Sequence, residues 1–401
     1  MARQNRIVVE DGTYHLTCRV AHREFLLADP KLKDLVVDWM YGIADFCGVE
    51  ILAWNIMDNH IHMEAYVPSV PERYWTDPGR PPEAAARSLR PAECRAPRWT
   101  PDLSDLARAR ASGVPIVITP AGDSPSEEAV VSSVADGVPL VVLPRPETGF
   151  SLSDDEMLSR LGRFFAGRPC RADAVARRWA RMRAMGRDAE VETEKDALCR
   201  RMYNVSQFMK QFKQRISEYV NRECGHEGQL WDGRFYSGLV EDDRLARVFT
   251  TAYIDWNAPK ARLAGDPSKW RWCSFSTACG DGPYAARARK GYEKALGCSW
   301  PEAKGVLESV FAAKLPDGYD PSVDPLHYTV VGPDGRRLKV RLSLPQLVKS
   351  GAKRLFRGGF FGRHVAFVEE TKKRLPCRFP SLNGRVVEFL SRCDWGLPMV
   401  A

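Results

Sequence analysis

Apolar and polar residues follow two different periods in the first part of the chain. Residues 14–20 alternate at every second position, which is typical of a strand with one buried face. Residues 31–47 carry apolar side chains at helical spacing, and Gly48 follows as a helix-ending residue. Residues 49–57 and 61–67 predict two more strands joined by a tight turn. This part of the chain therefore predicts the order β-α-β-β.

The regular pattern stops at Pro68, and the chain that follows is rich in Pro, Gly and Ser. Two similar segments within it, 113–117 and 137–141, begin with Gly-Val-Pro and predict a small β element. Helical spacing returns at Ser153, which begins a sequence typical of a capping box. We interpret residues 69–190 as an insertion.

A second block of regular structure follows the insertion. Residues 194–222 predict a helix with one apolar side, and 235–240 predict a fourth strand. A last helix follows a capping aspartate, runs to about Trp256 and is ended by Pro259. Without the insertion the order is β-α-β-β-α-β-α, and its first six elements have the ferredoxin-like order.

These elements predict an α+β fold, in which a ferredoxin-like antiparallel sheet carries helices on one face. Residues 1–68 and 191–280 form the two halves of this domain, on either side of the 69–190 insertion. Residues 281–401 form a basic accessory region. Residues 331–401 contain fifteen Lys and Arg but only five Asp and Glu, so this stretch has a net charge of +10. The whole chain has a net charge of +8. Such an excess favours a polyanionic partner, and we expect this region to bind DNA.

Composition argues against several other classes of protein. No run of about 18 apolar residues is present, so we expect no contact with a membrane. The first residues have no apolar signal-peptide core, which predicts a cytoplasmic protein. The eleven cysteines include no Cys-x-x-Cys pair, so a disulfide framework or a zinc ribbon is a poor interpretation.

The first candidate for chemistry is the tripeptide His60-Ile61-His62. Side chains at i and i+2 of a strand point to the same face, so the two imidazoles can share one metal ion. By itself the tripeptide is more often structural than metal-binding.

The last helix holds the second candidate, Tyr253. Four apolar residues form the side of this helix that faces the core: Leu245, Phe249, Ala252 and Trp256. Tyr253 lies at the edge of that side, and Asn257, four residues on, projects from the same side. Taken alone, Tyr253 also fits a boundary aromatic with its hydroxyl at the surface.

Together these motifs resemble a known family. Residues 53–62, Ala-Trp-Asn-Ile-Met-Asp-Asn-His-Ile-His, resemble the HUH strand pair of the single-tyrosine transposases. Residues 228–235, Gly-Gln-Leu-Trp-Asp-Gly-Arg-Phe, and 253–257, Tyr-Ile-Asp-Trp-Asn, are similar to the REP-associated tyrosine transposases (RAYTs). That branch usually has proline directly after the asparagine, whereas here it is one place later, at Pro259.

The resemblance implies a DNA strand transferase that cleaves and rejoins single-stranded DNA, preferably hairpins, through a 5′-phosphotyrosine. It implies that Tyr253 is the nucleophile, that His60 and His62 bind Mg²⁺ or Mn²⁺, and that Asn257 takes the place of the third ligand. Relatives act as monomers or as homodimers, and the residues leave this choice open.

Two alternatives to this function stay open at this level. One is a DNA-binding protein that keeps the HUH fold without cleavage, and the other is a different metal-dependent hydrolase that uses the histidine pair.

Glu64 shares the predicted strand face with the histidines, and we expect a solvated carboxylate rather than an extra ligand or base. Tyr203 and Tyr219 are rival nucleophiles. Arg234 fits a phosphate contact or an ion pair equally well. The other histidines are interpreted as structural or surface residues: His15, His22, His226, His327 and His364.

Overall fold

The computed structural model of the protein describes residues 8–76, 134–135, 138–139, 148–165, 169–324, 326–332, 335–350, 360–362, 366–367 and 370–371. In these residues the strands are β1 Gly12–Arg19, β2 Glu50–Ile56, β3 His60–Val67, β4 Val134–Ala135, β5 Val138–Pro139, β6 Tyr236–Val240, β7 His327–Val331, β8 Arg337–Arg341 and β9 Phe360–Phe361. The helices are α1 Pro30–Cys47, α2 Asp154–Phe164, α3 Pro169–Ala184, α4 Asp188–Cys199, α5 Val205–Glu223, α6 Arg244–Asp255, α7 Asn257–Lys260, α8 Ser274–Cys279, α9 Ala285–Leu296, α10 Trp300–Ala312 and α11 Leu344–Ser350.

The main sheet has the strand order β2-β3-β1-β6-β9. β1 is antiparallel to both β3 and β6, and β2 is antiparallel to β3. The four neighbouring strands β2-β3-β1-β6 therefore have the ferredoxin-like order, and the predicted α+β class is confirmed. β9 adds a short parallel edge beside β6, where Leu239 pairs with Phe360.

Helices cover both faces of this sheet, whereas the sequence predicted helices on one face. Alternate residues of β1, among them Tyr14 and Leu16, pack into one core with α1, α2 and α5. The opposite face lies under α6, which forms a second core with α8, α9 and α10. Gly291 lets α9 approach β2 closely, because a Cβ there would lie 2.5 Å from the carbonyl oxygen of Leu52. The sequence interpretation treated residues 281–401 only as a basic region and predicted neither α9 nor α10, so most of this second layer was missed.

The predicted helix over 194–222 is in fact two helices, α4 and α5. Tyr203 interrupts it with a positive φ of 49°, and its N–H donates to the Cys47 carbonyl at 2.6 Å. Asn204 then caps α5 by accepting from Ser206 N and Gln207 N. A tertiary hydrogen bond and a strong N-cap thus outweigh the helical period at this point.

Parts of the two regions outside the sheet domain also pack against it. Ser153 accepts from Glu156 N as the N-cap of α2, and α2 lies so close to α1 that a Cβ at Gly42 would lie 2.6 Å from the Arg163 carbonyl oxygen. β4 and β5 form a two-residue antiparallel pair near the second predicted repeat, whereas residues 113–117 lie outside the described residues. In the described parts of the chain, no helix has the length and apolar character needed to span a bilayer.

Candidate active site

The candidate residues lie on the sheet face under α6, in a row that crosses four strands. Antiparallel pairing places Asn55 of β2, His62 of β3, Thr17 of β1 and Tyr236 of β6 side by side. In an antiparallel sheet, directly opposite residues have Cβ atoms about 4.5–5.5 Å apart, so these side chains are in mutual reach. The row is a polar layer between the sheet and the helix.

His60 and His62 project from this face as the alternation of β3 predicts. Their ring centroids are 5.0 Å apart and the rings are nearly perpendicular. Asn59 Oδ1 lies 2.6 Å from Nδ1 of the half-buried His60. Thr17 Oγ1 and His15 Nε2 each lie 3.0 Å from Nδ1 of the buried His62. Because Nδ1 of each ring contacts the protein, Nε2 is the nitrogen that we expect to face a metal.

His15 belongs to the site although the sequence interpretation set it aside. Its ring is parallel to that of His62 within 7°, with centroids 5.3 Å apart, and it is almost fully buried. Burial lowers the pKa of His15 to about 3, so the ring is neutral at physiological pH. The signal that could have found it is the alternation of β1, which puts His15 and Thr17 on one face. The central position of β1 in the sheet then brings that face beside the histidine pair.

Tyr253 lies over the same face. Its ring centroid is 6.1 Å from that of His62 and 5.8 Å from that of His15, with both pairs edge to face. Only 5% of Tyr253 is exposed. Burial raises the pKa of Tyr253 to about 12, against a smaller lowering effect of the Arg19 charge.

Two contacts position the helix that carries Tyr253. Asp243 caps the start of α6 by accepting from Ala246 N at 3.0 Å. At the other end, Asn55 Nδ2 donates to the carbonyl oxygens of Ile254 at 2.9 Å and Asp255 at 3.2 Å. The amide of Asn55 therefore ties the end of the helix to the strand beside His62.

Asn257 is buried just beyond the end of α6. Its Nδ2 donates to the Tyr253 carbonyl oxygen at 2.7 Å and to that of Ile254 at 3.3 Å. Because the amide nitrogen is used in this way, Oδ1 is the atom that could act as a ligand. The sequence predicted a helix running to about Trp256, and α6 ends at Asp255, as predicted. Pro259 lies in the first turn of the separate short helix α7, where proline is tolerated.

A divalent cation at this site would need protein ligands in addition to the two histidines. Among the described residues, no group of three or more His, Cys, Asp or Glu side chains is arranged to hold a metal. The amide oxygens of Asn257 and Asn55 are the candidates for a third protein ligand. Asn55 Oδ1 is fully buried and has no hydrogen-bond partner among the described residues. Two imidazole nitrogens and a carbonyl oxygen fit a divalent cation.

Glu64 differs from the solvated carboxylate that the sequence predicted. It pairs with His15 across β1 and β3 and is fully buried, and neither carboxylate oxygen has a hydrogen-bond partner among the described residues. Burial raises the pKa of Glu64 well above its usual value, partly offset by the Arg247 charge and reinforced by Asp255. Burial likewise raises the pKa of Asp255 to about 7, although Tyr292 donates to it at 2.6 Å.

The rival tyrosines lie away from this face. Tyr203 and Tyr219 both pack against the core that contains α1 and α5, on the other side of the sheet. Arg160 donates to the Tyr203 hydroxyl at 3.0 Å, and the Tyr219 ring contacts Trp39 edge to face. Arg234 is exposed and forms no ion pair with a described residue.

The sheet domain has a recognisable relative among protein families. Residues 8–70 match the family model described as transposase, IS200 like. The chain is similar to the IS200-like transposases. The matched segment contains β1 to β3, and with them His15, His60 and His62, but it stops well before Tyr253. Over these residues the predicted resemblance to transposases is confirmed, and the match supports a DNA-processing role of the transposase type.

A solved structure described as the REP-associated tyrosine transposase bound to a REP hairpin aligns with 70% of this chain and 86% of its own. The sequence identity is 13% and the TM-score is 0.29. No curated protein matches the chain.

Proposed function

We propose that this IS200-like protein is a DNA strand transferase in which Tyr253 attacks a phosphodiester of single-stranded, hairpin-forming DNA. The observation that supports this most directly is the position of Tyr253, about 6 Å from the ring of His62 across one buried polar face. The histidine and the tyrosine come from distant parts of the chain, so their meeting is a property of the fold. The RAYT-like segments at 228–235 and 253–257 support the hairpin as the substrate to test.

The reaction exchanges one ester for another. The Tyr253 oxygen forms a bond to phosphorus while the bond from phosphorus to the 3′ oxygen breaks. The phenolic proton is lost and the departing 3′ oxygen takes up a proton. The product is a 5′-phosphotyrosine and a 3′ hydroxyl group. Because the ester is conserved, a second 3′ hydroxyl can reverse the step and join a new strand without an external energy source.

His60 and His62 would hold Mg²⁺ or Mn²⁺ with Asn257, or with Asn55 in its place. When bound, such an ion supplies positive charge to the phosphate oxygens. The chain contributes the fixed orientation of the ligands, since Thr17 and His15 hold one imidazole and Asn59 holds the other.

Covalent capture is the experiment that tests this function. A labelled pool of single-stranded hairpin oligonucleotides is incubated with the protein and Mn²⁺, and adducts are resolved under denaturing conditions. We expect an adduct with the wild type and with Tyr219→Phe, and none with Tyr253→Phe. Since Tyr253→Phe keeps the ring, it should retain DNA binding. DNA binding by the wild type with no adduct would favour the alternative, a DNA-binding protein without cleavage.

The domain boundaries and the oligomeric state stay predictions. We propose that the basic region 281–401 adds to DNA affinity, and that the protein acts as a monomer or a homodimer. Light scattering with and without the oligonucleotide pool distinguishes the two states.

A further inference from the structure

Arg19 stands at the open end of the polar face. It is the last residue of β1 and pairs directly with His60 on β3. It alternates in phase with Thr17, whose hydroxyl contacts His62, so Arg19 and the histidines project from the same face. Arg19 is half-buried, which leaves its side chain accessible from solvent.

The backbone of Arg19 is held by hydrogen bonds, whereas its guanidinium group has no partner among the residues that the structure describes. Its carbonyl oxygen accepts from Asp232 N at 2.8 Å, and the adjacent Val20 forms a bridge with Trp231. Among the described residues, no side chain forms a hydrogen bond or an ion pair with the Arg19 guanidinium. Several other arginines are paired: Arg160 with Glu156, Arg183 with Asp154 and Arg287 with Asp45.

The positive charge of Arg19 interacts electrostatically with the candidate nucleophile, Tyr253. It lowers the pKa of Tyr253, against the larger raising effect of burial. Glu64 and Asp255 are fully buried carboxyl groups, and the cation beside them, Arg247, is paired with Asp242. An accessible cation therefore lies beside the histidine pair, within electrostatic reach of the tyrosine.

We propose that Arg19 binds the DNA phosphate that Tyr253 attacks, by donating two N–H groups to its non-bridging oxygens. This proposal rests on the proposed function and deepens it. A guanidinium matches a phosphate in a planar, two-pronged geometry that lysine cannot reproduce. Arg19 would hold the phosphate in line with the tyrosine oxygen and stabilise the negative charge that grows on the oxygens during attack.

A binding cycle tests the contact without requiring cleavage. In a Tyr253→Phe background without metal, the affinity of one hairpin oligonucleotide is measured with a neutral methylphosphonate at each linkage in turn. With Arg19 present, one linkage should lose about tenfold in affinity or more when it is neutral, as expected for a charged hydrogen bond. With Arg19→Gln the same substitution should have no effect. Arg23→Gln is the matched control, since it removes the same charge from an exposed residue of the next turn and should keep the wild-type pattern.

A rate measurement completes the test in the intact protein. Arg19→Gln should slow adduct formation at saturating DNA by about 10²-fold, and Arg19→Lys should restore only part of the rate. An adduct in the wild type with no linkage coupled to Arg19 would overturn the proposal and leave the proposed function standing. A coupled linkage with no adduct would support the phosphate contact and refute the strand-transfer function. Failure of the wild type to bind DNA would overturn both.

Discussion

The burial of Tyr253 predicts how the reaction depends on pH. The reactive form of a tyrosine nucleophile is the phenolate, and the pKa of Tyr253 is about 12. At pH 8 roughly one molecule in 10⁴ carries the phenolate, against roughly one in 10² for a tyrosine with the usual pKa near 10. Two pH units correspond to about 2.7 kcal/mol at ~1.36 kcal/mol per unit. We therefore expect adduct formation to rise about tenfold per pH unit from pH 7 to 9.5.

Single-turnover measurement of the adduct at saturating DNA and Mg²⁺ gives this profile. The raised pKa of Tyr253 also makes the stability of the fold depend on pH. Its contribution is fully present below the unfolded pKa near 10 and is lost as the pH rises through about 12. Titration of this tyrosine therefore does not unfold the protein within the assay range. A rate that levels off below pH 9 would refute the idea that burial controls this nucleophile.

Three further predictions concern the metal, the basic region and the buried carboxyl group. His60→Ala and His62→Ala should each weaken Mn²⁺ binding at least about tenfold in calorimetry, because one ligand is lost; wild-type affinity in both would contradict the assignment. The basic region contains three consecutive cations, Lys372, Lys373 and Arg374. Replacing all three with glutamine should lower the slope of log DNA affinity against log salt by about 2, because each charge contributes ~0.7 on single strands. An unchanged slope would exclude this cluster from the DNA contact. Glu64→Gln should raise the melting temperature at pH 8 and leave it unchanged at pH 4. The reason is that the raised pKa of Glu64 makes its stability contribution fall as the pH rises above about 4.5. A lower melting temperature at pH 8 would mean that the carboxylate is stabilised by its surroundings.

Local patterns predicted the part of the fold that short-range physics determines. The strands and the first helix follow from periods of two and 3.6 residues, and the shared face of His60 and His62 follows from the same alternation. The ferredoxin-like order followed from the sequence of elements, once the insertion had been removed.

Contacts between distant segments were not predictable in this way. His15 joins the site only because β1 pairs with β3, and no period within β1 specifies its neighbour. Tyr203 breaks a helical pattern because its N–H donates to Cys47, far away in sequence. The burial of Glu64 depends on α6, which covers a sheet face that the sequence interpretation left open to solvent.

The hydrogen bonds from Asn55 to the end of α6 bear on when the protein becomes active during its synthesis. They join residues 199 and 200 positions apart. A ribosome adds about 5–20 residues per second, so roughly ten to forty seconds separate the two partners of each bond. During that interval the nascent chain contains both histidines and has no tyrosine helix to complete the site. Under the proposed function, translation would therefore delay DNA cleavage until the second half of the sheet domain has emerged and docked.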